Sequence, residues 1–391
     1  SGEDLFSLIS GTIEYMRIGI NASFLRKPGT GIGNMTECFL RELGKGEFSQ
    51  KHEYILYLEE DADISYLPGN FSKSVLLPWW KRDDVPRKWL WEKFTLPKKI
   101  QADRCDAFLS LYQSATILPG SISHTMLVHD IIPELFPEYR GNLRQELLWR
   151  SVCAGIQKAS RIVAVSESTK RDLQRLSIPE ERISVAYQAL TNVFSEIPKE
   201  EWVEEVLKKY GLTKGYIYHG GGLEVRKNAQ SLLLAYKELC AERSVPKLVI
   251  SGKIFAKGNP LALDIEGVVH ELGIEKEVVL LGFVPENDLP SLYRGAGVFV
   301  YPSLYEGFGL PVLEALRMGV PTLCSSASSL PEVGGDAVLY CNPESVSDIQ
   351  EKLKLLLEDG SLREKLSLAG PKQAEKFHFD TFVSALLSSF E

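Results

Sequence analysis

Long hydrophobic runs, cysteine motifs and an excess of basic charge are all missing from this sequence. No stretch of about 18 consecutive apolar residues occurs, so no membrane-spanning helix is expected. The six cysteines form no Cys-x-x-Cys pair and have no histidine at zinc-ligand spacing, which argues against a disulfide framework or a zinc site. The net charge of −8 disfavours nucleic acid as a partner. These absences are typical of a cytoplasmic protein.

The N-terminal residues also lack the apolar core of a secretory signal. We interpret residues 1–15 as a vector remnant or a disordered lead. The first strand is expected to follow Met16, in the stretch MRIGINASFL.

Short apolar runs alternate with longer amphipathic segments along the 391 residues. RIGI, SVLL, DAFLSL and RIVAVS are examples in the first half, and YIYHG, KLVISG and GVFVYPS in the second. Continuous apolar strands that alternate with helices indicate parallel sheets covered on both faces. The sequence therefore predicts an α/β fold of two doubly wound domains, residues 16–190 and 195–375, linked through the aperiodic stretch 188–202. The apolar segment 376–391 is expected to form a helix that packs back on the first domain.

The stretch YEGFGLPVLEALRMGVP contains two glutamates eight residues apart. Gly307 and Gly309 allow close backbone approaches between them. Glu306 precedes the expected helix and Glu314 lies within it, so the pair is not expected to face each other as a hydrolytic dyad. Each glutamate is expected to hold a different part of one extended ligand.

The helix that contains Glu314 has clear end signals. Pro311 suits its first turn and Gly319 its end, which predicts a helix from Pro311 to Met318. Leu310, at the predicted N-cap, has no capping oxygen. The N–H groups of the first turn would then be available to an anion, whose charge the helix dipole favours.

Basic and glycine-rich loops follow other strands. YHGGGLEVRKN places Arg226 and Lys227 at a predicted helix start, an unfavourable position for cations that a bound diphosphate would offset. KPGTGIGNM contains Gly29, Gly31 and Gly33 as G-x-G-x-G, which differs from the dinucleotide fingerprint and disfavours a nicotinamide-dependent dehydrogenase.

Two polar residues end another apolar strand. TMLVHD places His129 and Asp130 at the strand's carboxyl end, where sites of α/β sheets lie. A purely structural histidine is the alternative. Ser166, in VAVSESTKRDL, is interpreted as a helix N-cap with a structural role.

Together these motifs resemble the E-x7-E signature of the family-4 retaining glycosyltransferases, whose GT-B fold consists of two Rossmann-like domains facing a central cleft. The likeness runs from about Met16 to Phe379 and is strongest from GFVPENDLPSLYRGAGVFVYPS through SSLPEVGGDAVLYCNP. It implies that Glu306 lies beside the donor sugar, that Glu314 binds the nucleotide ribose and that His129 aids catalysis.

The resemblance also implies a phosphate site. Lys227 matches the family's phosphate-binding lysine, whereas the usual arginine position carries Gly221 or Gly222, and Arg226 is the candidate replacement. The implied catalytic residues are His129, Arg226, Lys227 and Glu306, and the implied donor-binding residues are Gly31, Gly33, Gly222, Gly282, Phe283, Gly307, Phe308, Gly309, Leu310 and Glu314. No metal and no cofactor is implied, since the nucleotide sugar is a substrate.

The segment LLPWWKRDDVPRKWLWEKFTLPKK combines four of the six tryptophans with seven basic and three acidic residues. Such a composition suits an acceptor-binding or membrane-contacting face, for which Trp79, Trp80, Lys81 and Arg82 are the candidates. The alternative is that the tryptophans are core and the charges a solvated surface. A nearby Asp-x-Asp in EEDADIS is interpreted as a solvated turn rather than a metal site.

The sequence thus predicts a retaining, metal-independent hexosyltransferase that moves a hexose from a nucleotide diphosphate sugar to a hydroxyl of a glycan or lipid-linked glycan in polysaccharide biosynthesis. UDP-hexose, such as UDP-glucose, is favoured as the donor, and GDP-mannose is next. A nucleotide-sugar epimerase of the same architecture and a non-catalytic sugar-nucleotide-binding protein remain open alternatives. The expected location is the cytoplasm, where the tryptophan-rich segment could contact the inner face of the membrane. The oligomeric state is not indicated.

Overall fold

The computed structural model describes residues 15–77, 84–255 and 258–390. Within them, the strands form two parallel sheets, as the alternation of apolar runs and helices predicts. The strands are β1 (Arg17–Asn21), β2 (Glu53–Leu58), β3 (Phe71–Val75), β4 (Ala107–Ser110), β5 (Ser123–Val128), β6 (Arg161–Ala164) and β7 (Ile183–Val185), then β8 (Tyr216–His219), β9 (Leu248–Ser251), β10 (Val278–Gly282), β11 (Ala296–Tyr301), β12 (Thr322–Ser325) and β13 (Leu339–Cys341).

Helices connect and cover these strands, as parallel pairing requires. In the first half they are α1 (Gly31–Lys45), α2 (Glu47–Gln50), α3 (Asp84–Leu90), α4 (Leu96–Ala102), α5 (Ile132–Leu135), α6 (Leu143–Lys158) and α7 (Glu167–Gln174). In the second half they are α8 (Glu200–Lys209), α9 (Ala229–Glu242), α10 (Ile265–Leu272), α11 (Leu289–Gly295), α12 (Leu310–Arg317), α13 (Leu330–Gly334), α14 (Val346–Glu358), α15 (Gly360–Ala374) and α16 (Phe379–Leu387).

Both sheets have the same kind of strand order. The first is β3-β2-β1-β4-β5-β6-β7 and the second is β10-β9-β8-β11-β12-β13. In each, the order reverses beside the sheet's first strand, between β1 and β4 and between β8 and β11. Ligands of doubly wound sheets bind at such switch points, beyond the carboxyl ends of the strands. The fold therefore predicts functional loops after β1, β8 and β11.

The last helix contacts the first domain. α16 packs against α1, and Phe382 and Leu386 belong to the same buried apolar cluster as Phe39 and Leu43 of α1. Burial of these side chains fixes the end of the described chain against the first sheet's helix layer.

Two predicted boundaries were wrong. The stretch 188–202 is not aperiodic to its end, because α8 already begins at Glu200. Glu200 and Glu201 in the first turn, with Val203 and Val206 buried, start a regular amphipathic helix there. The predicted strand SVLL begins three residues earlier than expected, since β3 covers Phe71–Val75.

None of the helices in the described ranges is long and apolar enough to cross a bilayer. Trp79, Trp80, Lys81 and Arg82, the candidates for an acceptor or membrane face, lie outside the described residues. Downstream in the same segment, Trp91 is buried in the first domain. That tryptophan is therefore part of the core.

Candidate active site

A cavity of about 280 Å³ lies between the two domains, at the carboxyl ends of both sheets. The first domain lines it with Gly31, Ile32, His129, Asp130 and Gln188, and the second with Arg226, Lys227, Glu306, Gly307, Phe308, Gly309, Leu310 and Pro311. The structure thus brings together residues from four separate motifs. A larger hollow of about 560 Å³, lined in part by Tyr187, Lys372 and Phe377, shares no lining residue with this cleft.

Glu306 is the centre of the charged groups in the cleft. Its Oε1 accepts from the Lys227 ammonium at 2.7 Å, the Tyr301 hydroxyl at 2.8 Å and the Ser303 hydroxyl at 2.7 Å, and its Oε2 accepts from Arg226 Nη1 at 3.0 Å. The residue is only 6% exposed. Charge-assisted bonds of this kind hold a buried carboxylate in one orientation.

These partners also decide the charge of Glu306. Burial by itself raises the pKa of a carboxyl, but Lys227 and Arg226 outweigh burial and lower the pKa of Glu306 to about 2. The carboxylate is therefore ionised at neutral pH. Burial lowers the pKa of Lys227, against the opposing effect of Glu306.

The two cations do not begin a helix, and that prediction from the sequence was wrong. Arg226 and Lys227 lie in a short 3-10 turn, Val225–Lys227, and α9 begins only at Ala229. Asn228 lies between the 3-10 turn and α9 and has a left-handed φ of 60°. Its side-chain amide donates to the Pro302 and Pro343 carbonyls. The charge of the cations is balanced by carboxylates instead, since Arg226 also donates to Glu224 at 2.7 Å.

Helix α12 begins one residue earlier than predicted. Gly309, with φ of 119°, is its N-cap, so Leu310 is the first helical residue and Arg317 the last. Gly309 has no side chain that could cap the helix, which agrees with the predicted uncapped start. Not all N–H groups of the first turn are available to a ligand, however. The N–H groups of Val312 and Leu313 both donate to the Gly309 carbonyl. The N–H of the first turn that remains for a ligand is that of Leu310, because Pro311 has none.

Glu314 lies on α12, apart from the Glu306 cluster. Its carboxylate accepts from the Tyr293 hydroxyl at 2.7 Å. Burial raises the pKa of Glu314 to about 7, an effect that Tyr293 reduces and Glu286 increases. The pKa values of the two glutamates are thus shifted in opposite directions, and their hydrogen-bond donors within the described part of the chain are different. The arrangement matches the expectation that they are not a hydrolytic dyad.

The glycine-rich loops differ in what their glycines do. Gly31 lines the cleft, and a Cβ there would meet nothing within 4 Å. A Cβ on Gly33 would lie 2.2 Å from the Lys27 carbonyl oxygen, so this glycine permits packing of the loop against α1. Gly222 has φ of 104° and an open Cβ direction. Gly31 and Gly222 therefore suit a ligand contact better than Gly33.

His129 lies in the cleft, but its ring is bound by the protein. Nε2 is 3.0 Å from the Leu111 carbonyl oxygen, and Nδ1 is 2.7 Å from the Gln188 amide nitrogen. A carbonyl only accepts, so Nε2 carries the proton and Nδ1 accepts from Gln188. Burial lowers the pKa of His129, which keeps the ring neutral. Its use as a general base would require the bond to Gln188 to break.

The remaining predicted donor residues lie on two loops. Gly282 ends β10 with φ of 66°, and the Phe283 side chain after it is 72% exposed. The Phe308 ring is 4% exposed and packs against Phe377, with ring centroids 5.6 Å apart. Phe308 therefore presents backbone rather than its ring to the cleft.

Sequence reasoning missed several residues that hold the site together. Tyr301 and Ser303 bind Glu306 directly, and Gln188 binds His129. Tyr301 ends the apolar strand β11 and Ser303 follows it by two residues, so proximity to the strand end was a usable signal. Gln188 lies three residues beyond the end of the short strand β7, in the stretch 188–202 that the sequence predicts to be a linker.

Two family models and a bacterial mannosyltransferase match this chain. The family model described as Glycosyltransferase Family 4 matches residues 31–190, and the model described as Glycosyl transferases group 1 matches residues 203–373. The O-antigen chain mannosyltransferase B of Escherichia coli is 36% identical over 266 residues, which cover 67% of this chain and 68% of the relative.

The chain belongs to the family-4 glycosyltransferases.

Solved structures show the fold of this glycosyltransferase. The sucrose-phosphate synthase from Thermosynechococcus elongatus superposes with a TM-score of 0.73 at 17% identity, covering 95% of this chain and 98% of that one. Anabaena HepE in complex with UDP-glucose gives a TM-score of 0.70 at 17% identity, covering 96% and 99%. The predicted GT-B fold of two Rossmann-like domains is confirmed.

Proposed function

We propose that this glycosyltransferase moves a hexose, with retention of anomeric configuration, from a nucleotide diphosphate sugar to a hydroxyl of a glycan or lipid-linked glycan in polysaccharide biosynthesis. The observation that carries the proposal is the cluster of Glu306, Lys227 and Arg226 at the inter-domain cavity. It combines an ionised carboxylate that accepts four hydrogen bonds with two cations at the switch point of the second sheet.

The cations would stabilise the leaving diphosphate. The Lys227 ammonium donates to Glu306 and Tyr301, which leaves a third N–H for a phosphate oxygen. Arg226 donates to the protein through Nε and Nη1, so the N–H groups of Nη2 would be those that bind a phosphate oxygen. Breaking the sugar–phosphate bond concentrates negative charge on the leaving oxygen, and preorganised donors at that point lower the barrier most.

Glu306 would orient the donor sugar rather than attack it. Three donors already occupy its Oε1 and Arg226 binds its Oε2, so a covalent glycosyl intermediate on this carboxylate would break the cluster. We therefore infer that the departing phosphate takes the proton of the acceptor hydroxyl. Glu314, on α12, would accept hydrogen bonds from the ribose hydroxyls.

Mannose is the first donor sugar to test. The E. coli relative is an O-antigen chain mannosyltransferase, which moves GDP-mannose ahead of UDP-glucose, the donor favoured by sequence alone. The HepE complex contains UDP-glucose, but that likeness is one of fold at 17% identity.

Release of the nucleotide tests the proposal. We expect the protein to liberate GDP or UDP from its donor slowly alone and faster with a glycan acceptor. Lys227→Met should reduce kcat/KM by about 10²–10³-fold, the usual loss when one donor to a developing charge is removed. Lys354→Met is the matched control, since Lys354 is an exposed lysine paired with Glu242, and its rate should stay within about twofold.

The alternatives predict different products. A sugar-nucleotide-binding protein would bind the nucleotide but release none from any donor, in the presence of any acceptor. An epimerase would convert the donor to an isomer. Either result contradicts transfer, and equal rates in wild type and Lys227→Met would contradict the role of the cations.

A further inference from the structure

The first turn of α7 lies against the loop that carries Glu306. Ser166, the N-cap of α7, accepts from the Thr169 N–H at 3.0 Å, and its hydroxyl also donates across the cleft to the Gly307 carbonyl at 2.6 Å. The Thr169 hydroxyl donates to the same carbonyl at 3.0 Å. Ser166 and Thr169 are fully buried. The structural N-cap that the sequence predicts is therefore also an inter-domain contact.

The carbonyl that they bind directly follows Glu306 in the chain. Gly307 is confined from the other side as well, because a Cβ on it would lie 1.9 Å from the His129 carbonyl oxygen. The peptide between Gly307 and Phe308 is thus held by the first domain. Rotation of this peptide would turn the backbone that positions the Glu306 carboxylate.

A carboxylate of the second domain completes the contact. Glu332, on α13, accepts from the N–H groups of Glu167 and Ser168, each at 2.8 Å. Because these are the first N–H groups of α7, Glu332 acts as a helix cap supplied by the other domain. The Tyr305 hydroxyl also donates to Asp172 of α7 at 2.8 Å.

The bonds from Gly307, Glu332 and Tyr305 to α7 join the two domains, so separation of the domains breaks them together. In an open cleft, the Gly307 carbonyl and two N–H groups of α7 would lose their protein partners. The loop that holds Glu306 would then have no support from α7. The bonds require the first turn of α7 and the loop after Glu306 to be in contact.

We propose that Ser166, Thr169 and Glu332 form a latch, the α7 latch, that positions the Glu306 loop for transfer when the domains close. They are positioning residues, because they act on the donor through Gly307 and Glu306. The expected effect of the α7 latch on sugar transfer rests on the proposed function. Its effect on closure can be measured without any transfer.

The test uses hydroxyl deletions of matched size. Thr169→Val keeps the side-chain volume and the α7 cap but removes one of the two hydroxyl bonds to the Gly307 carbonyl, and Thr169→Ser restores a hydroxyl. Thr36→Val is the control, because Thr36 is equally buried and its hydroxyl donates to Ile32 within α1. Glu332→Gln is a second variant, which keeps the shape of the side chain but removes its charge. Circular dichroism establishes that each variant is folded.

For Thr169→Val and Glu332→Gln we expect kcat for nucleotide release to fall at least tenfold, while the Kd of GDP or UDP alone changes less than threefold. Thr169→Ser should recover most of the rate, and Thr36→Val should leave it unchanged. Unchanged kcat in both latch variants, or equal losses in Thr36→Val and Thr169→Val, would overturn the proposal.

Small-angle scattering separates this inference from the proposed function. The radius of gyration should increase in Thr169→Val and Glu332→Gln relative to wild type and Thr36→Val. If wild type transfers no sugar but the latch variants still expand, the latch stands and the transfer reaction fails. If the variants transfer poorly without expanding, closure is not what the latch controls and the inference fails.

Discussion

Replacement of Gly307 by alanine should separate the catalytic loop from the first domain without changing any charge. The added Cβ would lie 1.9 Å from the His129 carbonyl oxygen, whereas real contacts below 3.0 Å are essentially never found. The obstructing atom belongs to the backbone, so it cannot move aside as a flexible side chain would. The two backbones must therefore part by about 1 Å, the scale on which a misplaced reacting group costs about 100-fold in rate.

We expect Gly307→Ala to lower kcat/KM for nucleotide release about 100-fold, equivalent to about 2.7 kcal/mol of transition-state stabilisation. Each domain's core is untouched, so the thermal unfolding midpoint should change little. Gly69→Ala is the control, because a Cβ on Gly69 meets nothing within 4 Å and its backbone is not left-handed.

A Gly307→Ala enzyme with near wild-type kcat/KM would refute the view that the closed cleft is the reacting form. A large fall in kcat/KM for Gly69→Ala would show that the assay reports general damage instead. Crystals of Gly307→Ala that show the Gly307 and His129 backbones at their present separation would also contradict the steric reasoning.

Two further predictions concern protonation. Because burial raises the pKa of Glu314 to about 7, its carboxylate is mostly neutral at pH 6 and mostly ionised at pH 8. If ribose hydroxyls bind the ionised form, KM for the donor should fall about tenfold from pH 6 to pH 8. Glu314→Gln should abolish this pH dependence of KM. The same pH dependence of KM in Glu314→Gln would contradict the prediction. Because burial lowers the pKa of His129, its ring should titrate by NMR at a lower pH than an exposed histidine, and a pKa at or above the ordinary value would contradict the fixed neutral tautomer.

The two sheets could be predicted because their central strands are short apolar runs that are buried on both faces. β4 and β11 are examples, and their side chains Phe108 and Phe299 are fully buried. Strands of parallel sheets covered by helices have this pattern, and helices of the same length rarely do. The order of the strands is not contained in any single run, but follows from the doubly wound pattern.

The start of α9 could not be predicted, and the reason is local. Asn228 adopts a left-handed conformation that is uncommon for a residue with a Cβ, so the helix begins after it rather than at Arg226. Two tertiary bonds from its amide hold that conformation. No pattern of nearby residues reveals such bonds.

Contacts between side chains that are far apart in the sequence could not be predicted either. The motif identifies Glu306, but the charge of this glutamate depends on Lys227, which lies 79 residues earlier. The sequence places His129 at a strand end, yet the tautomer of its ring depends on Gln188, 59 residues away in a loop. Ser166 looks like a simple N-cap because its second partner, Gly307, belongs to the other domain. A single sequence contains the residues of such pairs without the information that they meet.

The central claim is that the cleft transfers a hexose with retention, using Glu306 to orient the donor rather than as a nucleophile. Time-resolved NMR of GDP-mannose with a mannose-containing acceptor, and of UDP-glucose in parallel, tests it most directly. We predict a new α-glycosidic anomeric signal that grows in step with free nucleotide. A β-linked product, or an isomerised nucleotide sugar without nucleotide release, would contradict the claim.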